Sequence, residues 1–281
     1  MLSYVNHIIG LLPFSWAHYD FMRNAIVALF ALAPIFSLLG TAVVGNRLVF
    51  FSDVVGHSAL SGVALGVLFG IFDMNIAVVG FACVVALLSI FIKKFTGASY
   101  DTVLGVIFAA VVGLGVFLLS IGGGFAKYTA YLTGDLLAVS AGQILWLYIL
   151  LCCVLVYWVL FSNRLTLVGV SPPLARSRGV NVNAVEIIFM LVLAVSVASA
   201  VKFLGVLLAS SLLVLPAASA RNICRNFKSY TVVALAIGLF SSMCGLVLSF
   251  YFGSSASAAI VLVGVACYAI CAVIGFIRKN F

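Results

Sequence analysis

The chain has 281 residues, of which 66% are hydrophobic and only 7% charged, and its mean hydropathy is +1.37. That composition excludes a soluble globular domain and leaves a polytopic membrane protein with no room for a separate soluble module. The net charge of +8 is not a nucleic-acid footprint in such a chain. Basic residues gathered on one membrane face account for it.

Residues 1–23 read as a partly amphipathic lead-in. Asn6, His7, Pro13, His18, Asp20 and Arg23 interrupt it, so no clean signal-peptide core is present. Predicted spans follow at about 24–45, 49–72, 75–92, 101–121 and 141–161. The first closes on Gly45, Asn46 and Arg47, and the third on Lys93 and Lys94. Residues 123–140 form a loop carrying Lys127 and Asp135, and a polar stretch occupies 162–183. Residues 184–220 are too long for one span and tight for two. They read as two short helices, about 184–201 and 204–220, meeting near Lys202–Phe203, with Pro216 bending the second. The last spans fall at about 229–252 and 256–277, before Arg278 and Lys279. The expected fold is all-α, with eight to nine transmembrane helices in a single domain, residues 1–281.

Charge placement arbitrates the count. Eleven of the fourteen Lys and Arg residues lie near Arg47, Lys93–Lys94, Arg164–Arg178, Arg221–Lys228 and Arg278–Lys279. Excess Lys and Arg marks the cytoplasmic face. Placing all five groups there requires an odd number of crossings after Arg23, which favours nine.

The second span carries the chemistry. It holds an aspartate and a histidine, Asp53 and His57, four residues apart and therefore on one helical face. A charged group at the bilayer centre costs about 2.5–3.5 kcal/mol on insertion scales, so such residues usually mark a functional site. One carboxylate and one imidazole can each give a ligand to Mn²⁺, Fe²⁺ or Zn²⁺. Two ligands are not a full site; others come from elsewhere in the chain, a second copy or water. The bland alternative is an Asp–His hydrogen-bonded pair that only holds helices together. Ser58, Gly62, Gly66 and Gly70 form a small-residue stripe on an adjacent face, a signal for close helix packing.

Other features are weaker. The seven cysteines lie scattered in apolar segments without a CxxC pair and read as small hydrophobes. The five methionines show no cluster suited to copper. Asp101 and Glu186 sit near helix starts, where acids favour the N-terminus. Lys202 marks an outer turn, Asp73 and Asp135 are outer acids, and His7 and His18 are surface residues. In the polar stretch, Pro172 and Pro173 can start a short helix over Leu174–Arg178, stopped by Gly179. No GxxxxGK[ST] loop occurs, so ATP-driven transport would need a separate ATPase polypeptide.

Three stretches together resemble the permease subunits of bacterial metal-ion ABC importers, the zinc, manganese and iron-chelate class. Arg47–Gly70, RLVFFSDVVGHSALSGVALGVLFG, is similar to the pattern R–(apolar)–DxxxHSAxxGVAxG. Asp101–Phe108, DTVLGVIF, looks like the acidic-xxx-Gly-xx-Phe opening of a span. Gly205–Ala220, GVLLASSLLVLPAASA, is similar to the GxLLxxxLLxxPAAxA run. The resemblance implies a type II ABC importer-like permease that forms a homodimer in the bilayer. It also implies an ATP-binding subunit docked under each copy, and an extracytoplasmic protein that delivers the metal. The transported ion is cargo, and no permanent cofactor is implied. Metal passage would fall on Asp53 and His57. The ATPase-coupling helix would fall on Ser171, Pro172, Pro173, Leu174, Ala175, Arg176, Ser177, Arg178 and Gly179. This chain departs from the family's acidic residue and AxxLG pattern there, which bears on the docking contacts rather than their location.

Two rival readings remain from the sequence. In a proton-coupled secondary transporter, Asp53 and His57 would be a relay, since histidine titrates near neutral pH. In a membrane scaffold they would only fix packing, and Asp53→Asn would be silent for any solute flux.

Overall fold

A computed structural model describes residues 15–71, 73–121 and 134–280. The lead-in up to residue 14, including His7, lies outside the described residues, as does the part of the 123–140 loop that holds Lys127. After a short 3-10 turn at Ser15–His18, nine helices follow in the described chain. They are α1 Asp20–Gly45, α2 Val49–Leu68, α3 Met74–Thr96, α4 Tyr100–Ile121, α5 Ala141–Val170, α6 Pro172–Ser177, α7 Val182–Ile223, α8 Phe227–Phe252 and α9 Ala256–Asn280. All but α6 are long and apolar enough to cross a membrane, eight in total among the described residues.

Several boundaries differ from expectation for local reasons. Helix α1 starts inside the lead-in, at Asp20, whose carboxylate favours a helix N-terminus and pairs with Arg23 one turn on at 3.3 Å. Helix α2 stops at Leu68 rather than 72. Gly70, at φ 64°, turns the chain, and the Ile71 N–H donates to the Gly66 carbonyl at 2.9 Å. Helix α5 runs on to Val170, so 162–170 is helical rather than loop. The polar residues there are compatible with helix, and Thr166 Oγ1 donates back to the Ser162 carbonyl at 2.8 Å.

The expected pair of helices in 184–220 is a single 42-residue element, α7, interrupted at Gly205. Gly205 has φ 72° and ψ 169°, a conformation essentially restricted to glycine. The interruption therefore falls at Gly205, not at Lys202–Phe203, because only the residue without a Cβ can hold that geometry. Pro216 lies inside the continuous second part. At about 1.5 Å per residue the whole element would measure roughly 63 Å, about twice a hydrocarbon core.

Contacts group the chain into two compact units. The first comprises Met1–Thr41, Asp135–Val156 and Ser211–Phe281. It brings together most of α1, the end of α7, α8 and α9. Here glycine allows near backbone contact. A Cβ on Gly40 would lie 1.9 Å from the Leu213 carbonyl oxygen, and one on Gly245 would lie 2.4 Å from the Ile260 Cα. Leu29, Leu32, Ile35 and Leu39 of α1 are fully buried, and Tyr148 Oη donates to the Val27 carbonyl at 3.2 Å.

The second unit comprises Ala42–Gly134 and Tyr157–Ser210. Helix α2 packs on both α3 and α4. The small-residue stripe does this work in part. A Cβ on Gly62 would meet the Val78 Cα at 2.9 Å, and one on Gly66 the Ala77 Cβ at 2.8 Å. Ser61 Oγ donates to the Val111 carbonyl, which ties α2 to α4.

These contacts separate two kinds of glycine. Gly40→Ala and Gly245→Ala should each destabilise the detergent-solubilised chain by about 1–3 kcal/mol, the usual cost of overpacking. Gly80, exposed in mid-α3 with open space at its Cβ position, is the contrast: Gly80→Ala should stabilise by about 0.5–1 kcal/mol through helix propensity. Thermal unfolding of the three variants tests this, and equal effects at all three positions would contradict it.

Candidate functional site

Asp53 and His57 lie in the first half of α2, both half-buried. The other polar side chains of this helix are committed. Ser52 Oγ donates to the Val49 carbonyl at 3.0 Å, Ser58 Oγ to the Val55 carbonyl at 2.6 Å, and Ser61 Oγ to Val111 across the packing interface. Such self-satisfaction is the ordinary way for a hydroxyl to live in a membrane helix. Among the described residues no hydrogen bond or ion pair engages the carboxylate of Asp53 or the imidazole of His57, nor joins the two. The hydrogen-bonded structural pair considered from the sequence is therefore not formed. Their lone pairs remain available to a third party.

Packing nevertheless restrains the site. The His57 ring meets Phe108 of α4 edge-to-face, with centroids 5.1 Å apart at 84°. Phe108 in turn lies 5.5 Å from the Phe50 ring. An aromatic contact of this kind favours one ring orientation. Just beside it, a Cβ on Gly56 would come within 2.8 Å of Val206 Cγ1. Val206 immediately follows the break at Gly205. Gly134 presses on the same break, since its Cβ would fall 2.1 Å from the Gly205 nitrogen. The Asp–His helix, the aromatic opening of α4 and the start of the GVLL run thus meet in one unit, which joins the three motifs singled out from the sequence. Among the described residues no group of three or more His, Cys, Asp or Glu side chains could hold a metal ion. Asp53 and His57 therefore stand as a carboxylate and an imidazole without a third such group beside them.

The second candidate region is α6. Ser171 caps its N-terminus by accepting the Leu174 N–H at 3.4 Å, and prolines occupy its first positions. Its end is a Schellman motif. The Val180 N–H donates to the Ala175 carbonyl and the Gly179 N–H to the Arg176 carbonyl, both at 3.0 Å, with Gly179 at φ 74°. The helix is therefore fixed at both ends by its own sequence. Ala175 is fully buried and anchors it, whereas Leu174 is 45% exposed, and Arg176, Ser177 and Arg178 are exposed as well. An apolar side chain and two arginines face outward on a rigid turn.

Most of the other acidic residues have structural partners. Asp73 caps α3 by accepting the Asn75 N–H at 2.9 Å, and Asp135 accepts the N–H groups of Leu137 and Ala138 at 3.1 and 3.2 Å. Asp101 lies in the first turn of α4, as expected. Glu186 is not a cap. It accepts from Lys93 Nζ at 3.0 Å and from the Tyr100 hydroxyl, while Lys93 Nζ sits 3.4 Å from the Tyr100 ring centroid. Sequence reasoning missed this cluster because its members are up to 93 residues apart. The acid following the paired lysines at a distant helix start was the only available hint.

The profile of the ABC 3 transport family matches residues 18–275. The chain is 31% identical over 245 residues to the high-affinity zinc uptake system membrane protein ZnuB of Haemophilus influenzae, covering 87% of this chain and 94% of the relative. It is 26% identical over 246 residues to the manganese transport system membrane protein MntC of Listeria monocytogenes, covering 87% of each. Among solved structures, PsaBC from Streptococcus pneumoniae in complex with Fab superposes with a TM-score of 0.79 at 24% identity, covering 96% of this chain and 95% of that one. The last likeness speaks for the fold. The extent of the first two places this chain in the ABC 3 transport family, among the multi-pass permeases of metal ABC transporters.

Proposed function

We propose that the chain is the permease subunit of an ATP-driven importer for a divalent transition-metal ion, Mn, Zn or Fe. It passes the ion from an extracytoplasmic binding protein to the cytoplasm. The observation that carries the reading is the pair Asp53 and His57, restrained by packing inside a membrane helix yet without a hydrogen-bond partner among the described residues. The relatives named for zinc and manganese uptake support the class of ion. A proton-coupled carrier is disfavoured by membership in an ABC transport family.

In this scheme Asp53 offsets the charge of the entering cation in a low-dielectric path, and His57 adds a nitrogen ligand of borderline softness. The T-shaped contact with Phe108 favours one orientation of the imidazole. Two ligands per chain leave the rest of the coordination shell to water or to the second copy of a homodimer. That suits cargo, because conduction needs binding weak enough to release. Hydrolysis of ATP is assigned to a separate subunit beneath each permease, docked on α6 through its exposed Leu174 and Arg178.

Asp53→Ala and His57→Ala should each lower cellular accumulation of one of the three metals by about tenfold or more, since each removes one of two ligands. Membrane insertion of both variants should be unchanged. Elemental analysis of cells expressing the chain with its native partners, alongside immunoblots of the membrane fraction, checks this. Normal uptake in both variants would remove the site. Leu174→Asp tests the docking surface. A charge replacing an exposed apolar anchor should cut co-purification of the ATPase subunit by about tenfold, with the permease still inserted. Unchanged co-purification and uptake would move the coupling contact elsewhere.

A further inference from the structure

A cleft of about 470 Å³ opens within the second unit, between the turn after α1, the end of α3, the start of α4, and the segment from the end of α5 through α6 to the start of α7. Four basic side chains line it: Arg47, Lys93, Lys94 and Arg176. Glu186 is the one acidic residue on its wall, and it is already engaged by Lys93 and the Tyr100 hydroxyl. Among the described residues no ion pair engages Arg47, Lys94 or Arg176. Three cations from three separate elements thus face one concave space with their charge uncompensated.

Two further observations suggest a built site. Arg47 is the only residue other than glycine with positive φ among the described residues, at 58°. It occupies the left-handed position of a Schellman turn, in which the Leu48 N–H donates to the Val43 carbonyl at 3.0 Å. Glycine is favoured there and a Cβ carries a steric cost, so an arginine at this position needs a compensating role for its side chain. The cleft wall is also closely packed at a small residue. A Cβ on Gly169 would come within 2.9 Å of Asn46 Oδ1. The remaining wall includes Ile90, Leu165 and Phe189, so the cationic rim passes into an apolar interior.

We propose that this cleft binds the phosphate group of an anionic phospholipid. Arginine forks and lysine ammonium groups suit a phosphate, and the apolar part of the wall suits the first carbons of an acyl chain. The location agrees with the charge bias, because the cleft opens at the helix ends where the basic residues gather, the face that meets the anionic cytoplasmic leaflet. The inference is independent of the metal reading, since none of the cleft residues lies on the Asp53/His57 face of α2.

The test uses the full-length chain in nanodiscs. Thermal unfolding is compared in phosphatidylcholine alone, in phosphatidylcholine with added inorganic phosphate, and in a mixture with phosphatidylglycerol, with native mass spectrometry counting retained lipid. Phosphatidylglycerol should raise the midpoint and leave lipid bound. Arg47→Gly, which relaxes the turn and cannot fail through backbone strain, and Lys94→Gln should each lower lipid retention about fivefold. Lys228→Gln, an exposed cation outside the cleft, should retain wild-type binding. A response to inorganic phosphate alone would overturn the lipid assignment in favour of a soluble phosphate compound. An equal loss in Lys228→Gln would reduce the effect to diffuse surface attraction and overturn the site. No response in any arm would overturn it too, and would leave the cleft to an acidic protein partner.

Discussion

The constraint on which this structure depends is the absence of water inside the bilayer. A multi-pass chain of the bacterial cytoplasmic membrane must satisfy its polar groups from within. Hydroxyl after hydroxyl does so by donating to a carbonyl one turn back: Thr41 to Leu38, Ser58 to Val55, Ser89 to Val85, Ser219 to Leu215, Ser249 to Leu246. Asp53 and His57, like the buried hydroxyls of Ser37, Tyr157 and Ser199, make no such bond. Both could have been satisfied by a serine or by each other, and neither is. The cost of carrying them in a membrane helix is offset only when something else supplies the missing contact. In the function proposed above, a passing divalent cation supplies that contact.

The second organising force is close approach. With hydrocarbon on the outside, helices gain little from burying apolar surface and rely on dispersion and weak polar contacts at short range. Glycine supplies the range. In the first unit it brings α8 against α9 and α1 against the end of α7. In the second it lets α3 lie along α2. This closeness has a consequence at the site. Gly56 admits Val206 directly beside His57, and Gly134 presses on the backbone break at Gly205. The helix that carries the polar pair therefore packs, at Gly56, against the residue that follows the one non-helical point inside α7.

Much of this was legible in the order of residues. The composition demanded a membrane protein, Ser171 with two prolines announced α6, and Gly179 stopped it where a left-handed residue was expected. The interruption of α7 was anticipated from length alone, because its apolar run exceeds any single crossing. Its position was not, since that depended on a φ and ψ only Gly205 can adopt. The end of α2 was misjudged for a similar reason: Gly70 was read as the last of a packing stripe when its role is to turn the chain. The polar run after Ser162 looked like loop, yet Thr166 and its neighbours have no objection to helix.

The cluster of Lys93, Tyr100 and Glu186 shows the limit of such reading. Each residue had a sufficient local explanation, the lysine as a topology signal and the glutamate as a favourable charge at a helix start. Neither explanation called for a partner. Only the fold brings α3, α4 and α7 together so that one carboxylate serves an ammonium and a phenol at once. Once that carboxylate is occupied, the positive charge around it changes meaning. Arg47, Lys94 and Arg176 satisfy the rule that cations stay on the cytoplasmic side wherever on that face they point. That rule does not explain why they converge on a cleft, nor why an arginine holds a backbone position better suited to glycine. Topology accounts for the side of the membrane, and the convergence requires an anion.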